Sequence, residues 1–283
     1  MTYGIEWPWP GMTEKLGPLH GGDLVVFAGY TGNGKTLALT NLFWKWAKET
    51  EHTLQYLSTE NAAKVPYYFA GLELGYTRIK MRSDADAKTR AGEFCTSRWP
   101  ETLETGGVPT NAHEAIKALR SSTAEIRCLD YIGGLTYEQF RSDREGLVFA
   151  IREAKLMAED LGTVVIIGAQ LAMRRDDPLK NYRHSQVDDV QGSSAIHHAA
   201  DHVLTTRRLL STMDGVREDV VAVRAGKKPT AILRQHERGM ELCVAKARDG
   251  TRPGRLLFGF EHPTHLEYPS ERFRVLDESE IGY

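Results

Sequence analysis

The chain has 283 residues, 41% hydrophobic and 26% charged, which is ordinary for a globular protein and long enough for one large α/β domain or two small ones. Its 36 Lys and Arg against 38 Asp and Glu give a net charge of −2, which excludes a globally basic nucleic-acid binder; any such contact must come from a local patch or a ring-shaped assembly. Cys95, Cys128 and Cys243 lack metal-type spacing and fit reduced thiols, no run reaches the ~18–20 apolar residues of a membrane span, and no signal peptide is in view, so a cytoplasmic setting without membrane contact is expected.

Residues 1–20 form a Trp- and Pro-rich arm ahead of one domain expected over 21–283. The prolines of Trp7-Pro-Trp-Pro-Gly11 argue against helix there, and the two tryptophans need cover from the chain's own body or from a neighbouring subunit. Leu24 to Ala28 is a short apolar run, as a buried parallel strand should be. Gly29 to Thr36 then reads Gly-Tyr-Thr-Gly-Asn-Gly-Lys-Thr, a P-loop: one glycine, four free residues, then Gly-Lys-Thr.

A triphosphate must be wrapped closely by N–H groups. Gly29, Gly32 and Gly34 free the backbone to do so, and the amides of Gly29, Thr31, Gly32, Asn33 and Gly34, continuing through Lys35, Thr36 and Leu37, would line the phosphates. Lys35 would meet the β- and γ-phosphates of ATP, and the Thr36 hydroxyl would ligate Mg²⁺. Leu39, Leu42, Phe43, Trp46 and Ala47 recur at helical spacing, so a helix should start with its positive end at the phosphates.

Thr53 to Ser58 is a second strand that delivers Thr59-Glu60-Asn61 at its carboxyl end, where ligands bind in open parallel sheets. Locally, Glu60 fits equally a carboxylate that activates water and a helix-capping turn. Residues 62–122 read as mostly helical, with a loop at Thr105 to Thr110 and a short helix at His113 to Leu119. Ile126 to Asp130 is a third strand ending in an aspartate suited to the Mg²⁺ shell. Ser142-x-x-Glu145 is a capping box, an apolar stripe runs from Leu147 to Leu161, and Gly162 stops the helix.

Thr163 to Gly168 is the clearest strand, ending at Ala169-Gln170, where Gln170 fits either a γ-phosphate sensor or a turn residue. Met173 to Asp189 is a long polar loop in which Arg174, Arg175, Lys180 and Arg183 could track a phosphate chain; its acids balance them, so a plain solvated loop stays open. His197-His198 reads as packing or surface. Ala200 to Thr206 is a further strand, residues 209–238 an inserted hairpin, and Glu241 to Lys246 with Arg255 to Phe260 a C-terminal β-hairpin. Lys246 and Arg248, two apart on a strand, should share a face and could hold a phosphate, the alternative being a solvated hairpin end.

In order, the P-loop, Glu60, Asp130, Gln170 and Lys246-x-Arg248-x-Gly250 resemble the ATPase domain of DnaB-like replicative helicases, including the helicase halves of phage primase–helicases. Gly17 to Gly29 is similar to that family's lead into its P-loop, Asp130-Tyr131 to its Walker B end, and Gln191 to Asp201 to the segment after its second DNA-binding loop. The resemblance implies a RecA-like P-loop core with a mostly parallel central sheet flanked by helices. It implies that Glu60 activates water and Gln170 senses the γ-phosphate. Lys246 and Arg248 would act across a subunit boundary, and residues 131–144 and 173–190 would hold single-stranded DNA in a central channel. The implied activity is an ATP-driven helicase or translocase in replication, acting as a homohexamer in a bacterial or phage-infected cytoplasm, with a primase or helicase loader as partner. A filament-forming recombinase or annealing ATPase, and a non-translocating ATP-gated scaffold or loader, are the alternatives. Only about 20 residues precede the core where the family carries an N-terminal domain and linker helix, or a primase, which points to a minimal phage-encoded form or a relative without unwinding.

Overall fold

A computed structural model describes residues 4–30, 32–60, 62–171, 187–191, 193–209, 225, 239–247, 254–262 and 265–267. Within them nine strands form one sheet: β1 (Leu24–Gly29), β2 (Leu54–Ser58), β3 (Leu103–Gly107), β4 (Ile126–Asp130), β5 (Val164–Gln170), β6 (His202–Leu209), β7 (Gly239–Ala247), β8 (Gly254–His262) and β9 (His265–Glu267). Their spatial order is β3-β2-β4-β5-β1-β6-β7-β8-β9. The first six pair in parallel, and β7, β8 and β9 continue the sheet antiparallel. This is the expected α/β core with its C-terminal hairpin extension.

Alternation sorts the strand residues to two buried faces. Val25 and Phe27 of β1 join Phe43, Tyr56, Phe69 and Cys128 on one face, under α2 (Lys35–Glu49), α3 (Val65–Leu74), α4 (Arg78–Ser83) and α5 (Ala85–Ser97). Leu24, Val26 and Ala28 join the other, under α6 (Ala112–Ser121), α7 (Asp143–Leu161) and α8 (Ser193–Ala199). The capping box of α7 forms as expected, with the Ser142 hydroxyl accepting from Glu145 N at 3.2 Å. Gly162 ends the helix at φ 60°, where a side chain would be strained.

The arm is not all extended. α1 (Pro10–Leu16) begins at Pro10, because a proline at the first helical position gives up only an N–H that has no partner there anyway. Trp7 and Trp9 are buried on the chain's own body. Trp7 stacks on Trp46 of α2 at 6.0 Å and donates to Gly17 O, and Trp9 meets Phe258 of β8 edge-on at 5.0 Å. The loop expected over Thr105 to Thr110 is in part strand: Leu103–Gly107 pairs with β2 as an edge strand, so Asp130 ends the fourth strand in sequence and not the third. Most of the 209–238 insert lies outside the described residues; it joins β6 to β7, which are paired at Leu209 and Gly239.

Candidate nucleotide site

Parallel register brings the sequence-predicted residues to one edge of the sheet. Gly29 is level with Gln170 on β5 and with Thr206 on β6, while Asp130 is level with Ser58, two residues before Glu60. Gly32 and Gly34 take φ of 83° and 86°, conformations that side chains resist, and Asn33 N donates to Tyr30 O to close the turn. α2 starts at Lys35 with no side chain capping its first turn, so the N–H groups of Lys35, Thr36 and Leu37 are left for an anion. A Cβ on Gly29 would fall on Thr206 Oγ1 and come within 3.0 Å of Lys35 Cγ, so the first glycine of the loop also permits the approach of β6. Thr31 lies outside the described residues.

The Lys35 ammonium donates to Gly29 O at 3.4 Å and lies 5.2 Å from the centre of the Tyr131 ring. Burial holds its pKa below the usual lysine value, opposed by the nearby charges of Asp130 and Glu60. Asp130 is 3% exposed, and burial pushes its carboxyl above the usual range, opposed by hydrogen bonds from Tyr56 and Thr36 and by Lys35. Tyr56 Oη donates to Asp130 Oδ2 at 2.7 Å, whereas Oδ1 is buried without a hydrogen-bond partner. Glu60 is exposed at the rim. Its backbone is tied to the Ser58 hydroxyl, and its carboxylate raises the pKa of Tyr131, after burial, by its charge and by accepting a hydrogen bond. Thr59 locks β2 to the end of β4, donating its N–H to Asp130 O and its hydroxyl to Tyr131 O.

These groups suit a Mg²⁺·nucleotide. Asp130 and Thr36 are oxygen donors side by side, one carboxylate lobe lacks a partner, and among the described residues no three His, Cys, Asp or Glu cluster as a protein-only cage would need. Mg²⁺ is commonly held in this way, by one or two protein oxygens with the rest from phosphates and water.

Lys246 is not brought to this edge. Because β7 is antiparallel, Lys246 pairs with Val203, which is level with Val26, three residues or about 10 Å back along β1 from Gly29. A bulge at Val203/Leu204 turns it toward α8, where its ammonium donates to His197 O at 2.6 Å and Ala200 O at 2.5 Å. Arg248 lies outside the described residues, as do Arg174, Arg175, Lys180 and Arg183. The base of that long loop is described: Leu171 bridges Val190, and Gln191 N donates to Gln170 O at 2.9 Å. The 131–144 loop carries Phe140, stacked on His113 at 5.5 Å, and a cavity of about 460 Å³ lined by Tyr137, Phe140, Arg141 and Gln191 joins the two loop bases. His197 and His198 are exposed.

Sequence reasoning missed Tyr56 and Thr206. Thr206 carried no signal, since only the strand register reveals it. For Tyr56 there was a faint one: a tyrosine central in an apolar strand needs an acceptor for its hydroxyl.

No family model matches the sequence, and no curated protein matches it either. Solved structures do. A helicase-type ATPase domain solved by itself is similar at 14% identity with a TM-score of 0.69, covering 92% of this chain and 89% of that one. A DnaB-like replicative helicase, from a structure concerned with its interactions with primase, is similar at 15% identity and TM-score 0.69; 94% of this chain is covered, and the chain spans 63% of that protein's length. The fold is therefore that of the RecA-like ATPase domains of DnaB-like helicases. As 507 solved chains match, the fold alone does not select an activity. No helix among the described residues is long and apolar enough to cross a membrane.

Proposed function

We propose that this chain is an ATP-dependent motor of the DnaB type, a helicase or translocase that draws single-stranded DNA through a homohexameric ring during replication. The observation carrying this reading is the convergence of Lys35, Thr36, Glu60, Asp130 and Gln170 on one sheet edge of a helicase-type ATPase fold. The first-turn amides of α2 and Lys35 bind and orient the triphosphate. Thr36 and Asp130 hold Mg²⁺, which when bound neutralises charge on the β- and γ-oxygens. Glu60, at the rim, accepts a proton from the attacking water, a role worth ~10²–10⁴ in rate. Gln170 contacts the γ-phosphate, and its tie to Gln191 passes the nucleotide state to the base of the 173–190 loop. Lys246 and Arg248 of a neighbouring copy complete the charge stabilisation. To do so Lys246 must exchange the α8 carbonyls for the neighbour's phosphate.

The test is electron microscopy with ATP and single-stranded DNA, together with displacement of a forked duplex. Closed six-membered rings that separate strands are expected. Open helical filaments would favour a recombinase, and rings that hydrolyse ATP on DNA without displacing a strand would favour a loader or scaffold. A primase, or a factor that loads the ring, is the expected protein partner.

A further inference from the structure

We infer that Tyr56 is a positioning residue for the divalent cation at Asp130, an inference that rests on the reading of Asp130 as its holder. Tyr56 sits at the centre of β2, wholly buried, with its ring edge-on to Phe43 of α2 at 5.4 Å and to Phe69 of α3 at 5.5 Å. A ring clamped from both sides cannot turn its hydroxyl to water, so the O–H must find an acceptor inside. Its level partner on β4 is Cys128, and the acceptor is the side chain two residues further on, Asp130, on the same face of the sheet.

The hydroxyl takes one lobe of the carboxylate, Oδ2, at 2.7 Å. The other lobe, Oδ1, lies beside Gly168 of β5, where a Cβ would come within 3.0 Å of it, and no protein donor fills it. Fixing Oδ2 thus fixes the direction of Oδ1, the oxygen left for a cation or its water. Phe43 packs on the ring from the helix that the P-loop starts, so the same helix that carries Thr36 also holds the residue that aims Asp130. A leucine or phenylalanine in place of Tyr56 would leave the strand intact and the carboxylate unaimed. Groups that orient a ligand from behind typically carry 10–100-fold in metal affinity.

The test measures Mn²⁺ binding to the full chain in the presence of ADP, by the paramagnetic signal of free Mn²⁺, for the wild type, Tyr56→Phe and Asp130→Asn. ADP affinity is measured separately in EDTA. Tyr56→Phe should weaken Mn²⁺ binding by about 10–100-fold and leave ADP binding in EDTA unchanged, a split that loss of packing alone would not produce. If Asp130→Asn abolishes Mn²⁺ binding while Tyr56→Phe binds as the wild type does, the positioning role is overturned and the reading of Asp130 stands. If Asp130→Asn binds normally, the reading of Asp130 falls and the inference with it. Should Tyr56→Phe fail to fold, 3-fluorotyrosine at position 56 serves instead: its ¹⁹F resonance should shift when Mg²⁺ is added to the ADP-bound protein, and an unmoved resonance overturns the proposal.

Discussion

The two edges of the parallel sheet differ in kind. At the carboxyl edge, β1, β2, β4 and β5 end level with one another, and their last residues meet across a few ångströms. At the amino edge, antiparallel β7 arrives carrying Lys246, a cation engaged by carbonyls of its own chain on the face opposite α2. One edge has phosphate and cation ligands without a finger, and the other has a finger without phosphates. A chain with both at about 10 Å separation along the sheet and on opposite faces cannot close them on one nucleotide. Two copies packed edge to edge can.

Breaking this pairing should have its largest effect at Lys246. Lys246→Ala is expected to bind ATP normally and lose ~10³–10⁵ in turnover, the range seen for such cations; steady-state kinetics read out both. Glu60→Gln comes next, at ~10²–10⁴. Mixing these two variants sharpens the comparison. If the edges belong to different copies, random pairing of equal amounts leaves about a quarter of the interfaces with both residues intact, so the mixture should outperform either variant alone. A mixture no better than its parts would argue for a site within one chain.

Smaller effects probe the carboxyl edge itself. Gly29→Ala drives a methyl onto Thr206 Oγ1 and should destabilise the fold by about 1–3 kcal/mol in denaturant melts. Adding Thr206→Ala should recover part of that loss, since contacting residues couple. Asp130→Asn should act in the opposite sense. The folded-state pKa of Asp130 lies above its unfolded value, so that stability falls as pH rises between the two, and at neutral pH the buried charge is a net cost. The nucleotide-free variant should therefore melt about 2 °C higher while losing turnover, a trade of stability for function. That gain should vanish in melts at a pH below the unfolded pKa, where both states are protonated.

The carboxyl edge was legible because its motifs are local. A P-loop between an apolar strand and a helix, and acids that end strands, announce themselves in runs of a few residues. β3 was hidden because Leu-Glu-Thr-Gly-Gly is an edge strand with little side chain to bury, and its glycines read as a turn. The start of α1 at Pro10 was hidden because a proline that bars a helix interior is welcome at its first position. The partnership of Tyr56 with Asp130 and the contact of Thr206 with Gly29 depend on which strands neighbour which, information that no single stretch of sequence holds. The bulge that turns Lys246 toward α8 is of the same kind. Alternation along β7 gives the register of Leu242 and Val244 but not the one-residue slip that follows.

The central claim is that a complete hydrolytic site needs two copies of the chain. It is tested most directly by measuring ATP turnover per chain across a dilution series while light scattering reports the assembly state. Turnover should collapse as the assembly dissociates and return on reconcentration. A per-chain rate that stays constant down to fully monomeric protein would contradict the claim.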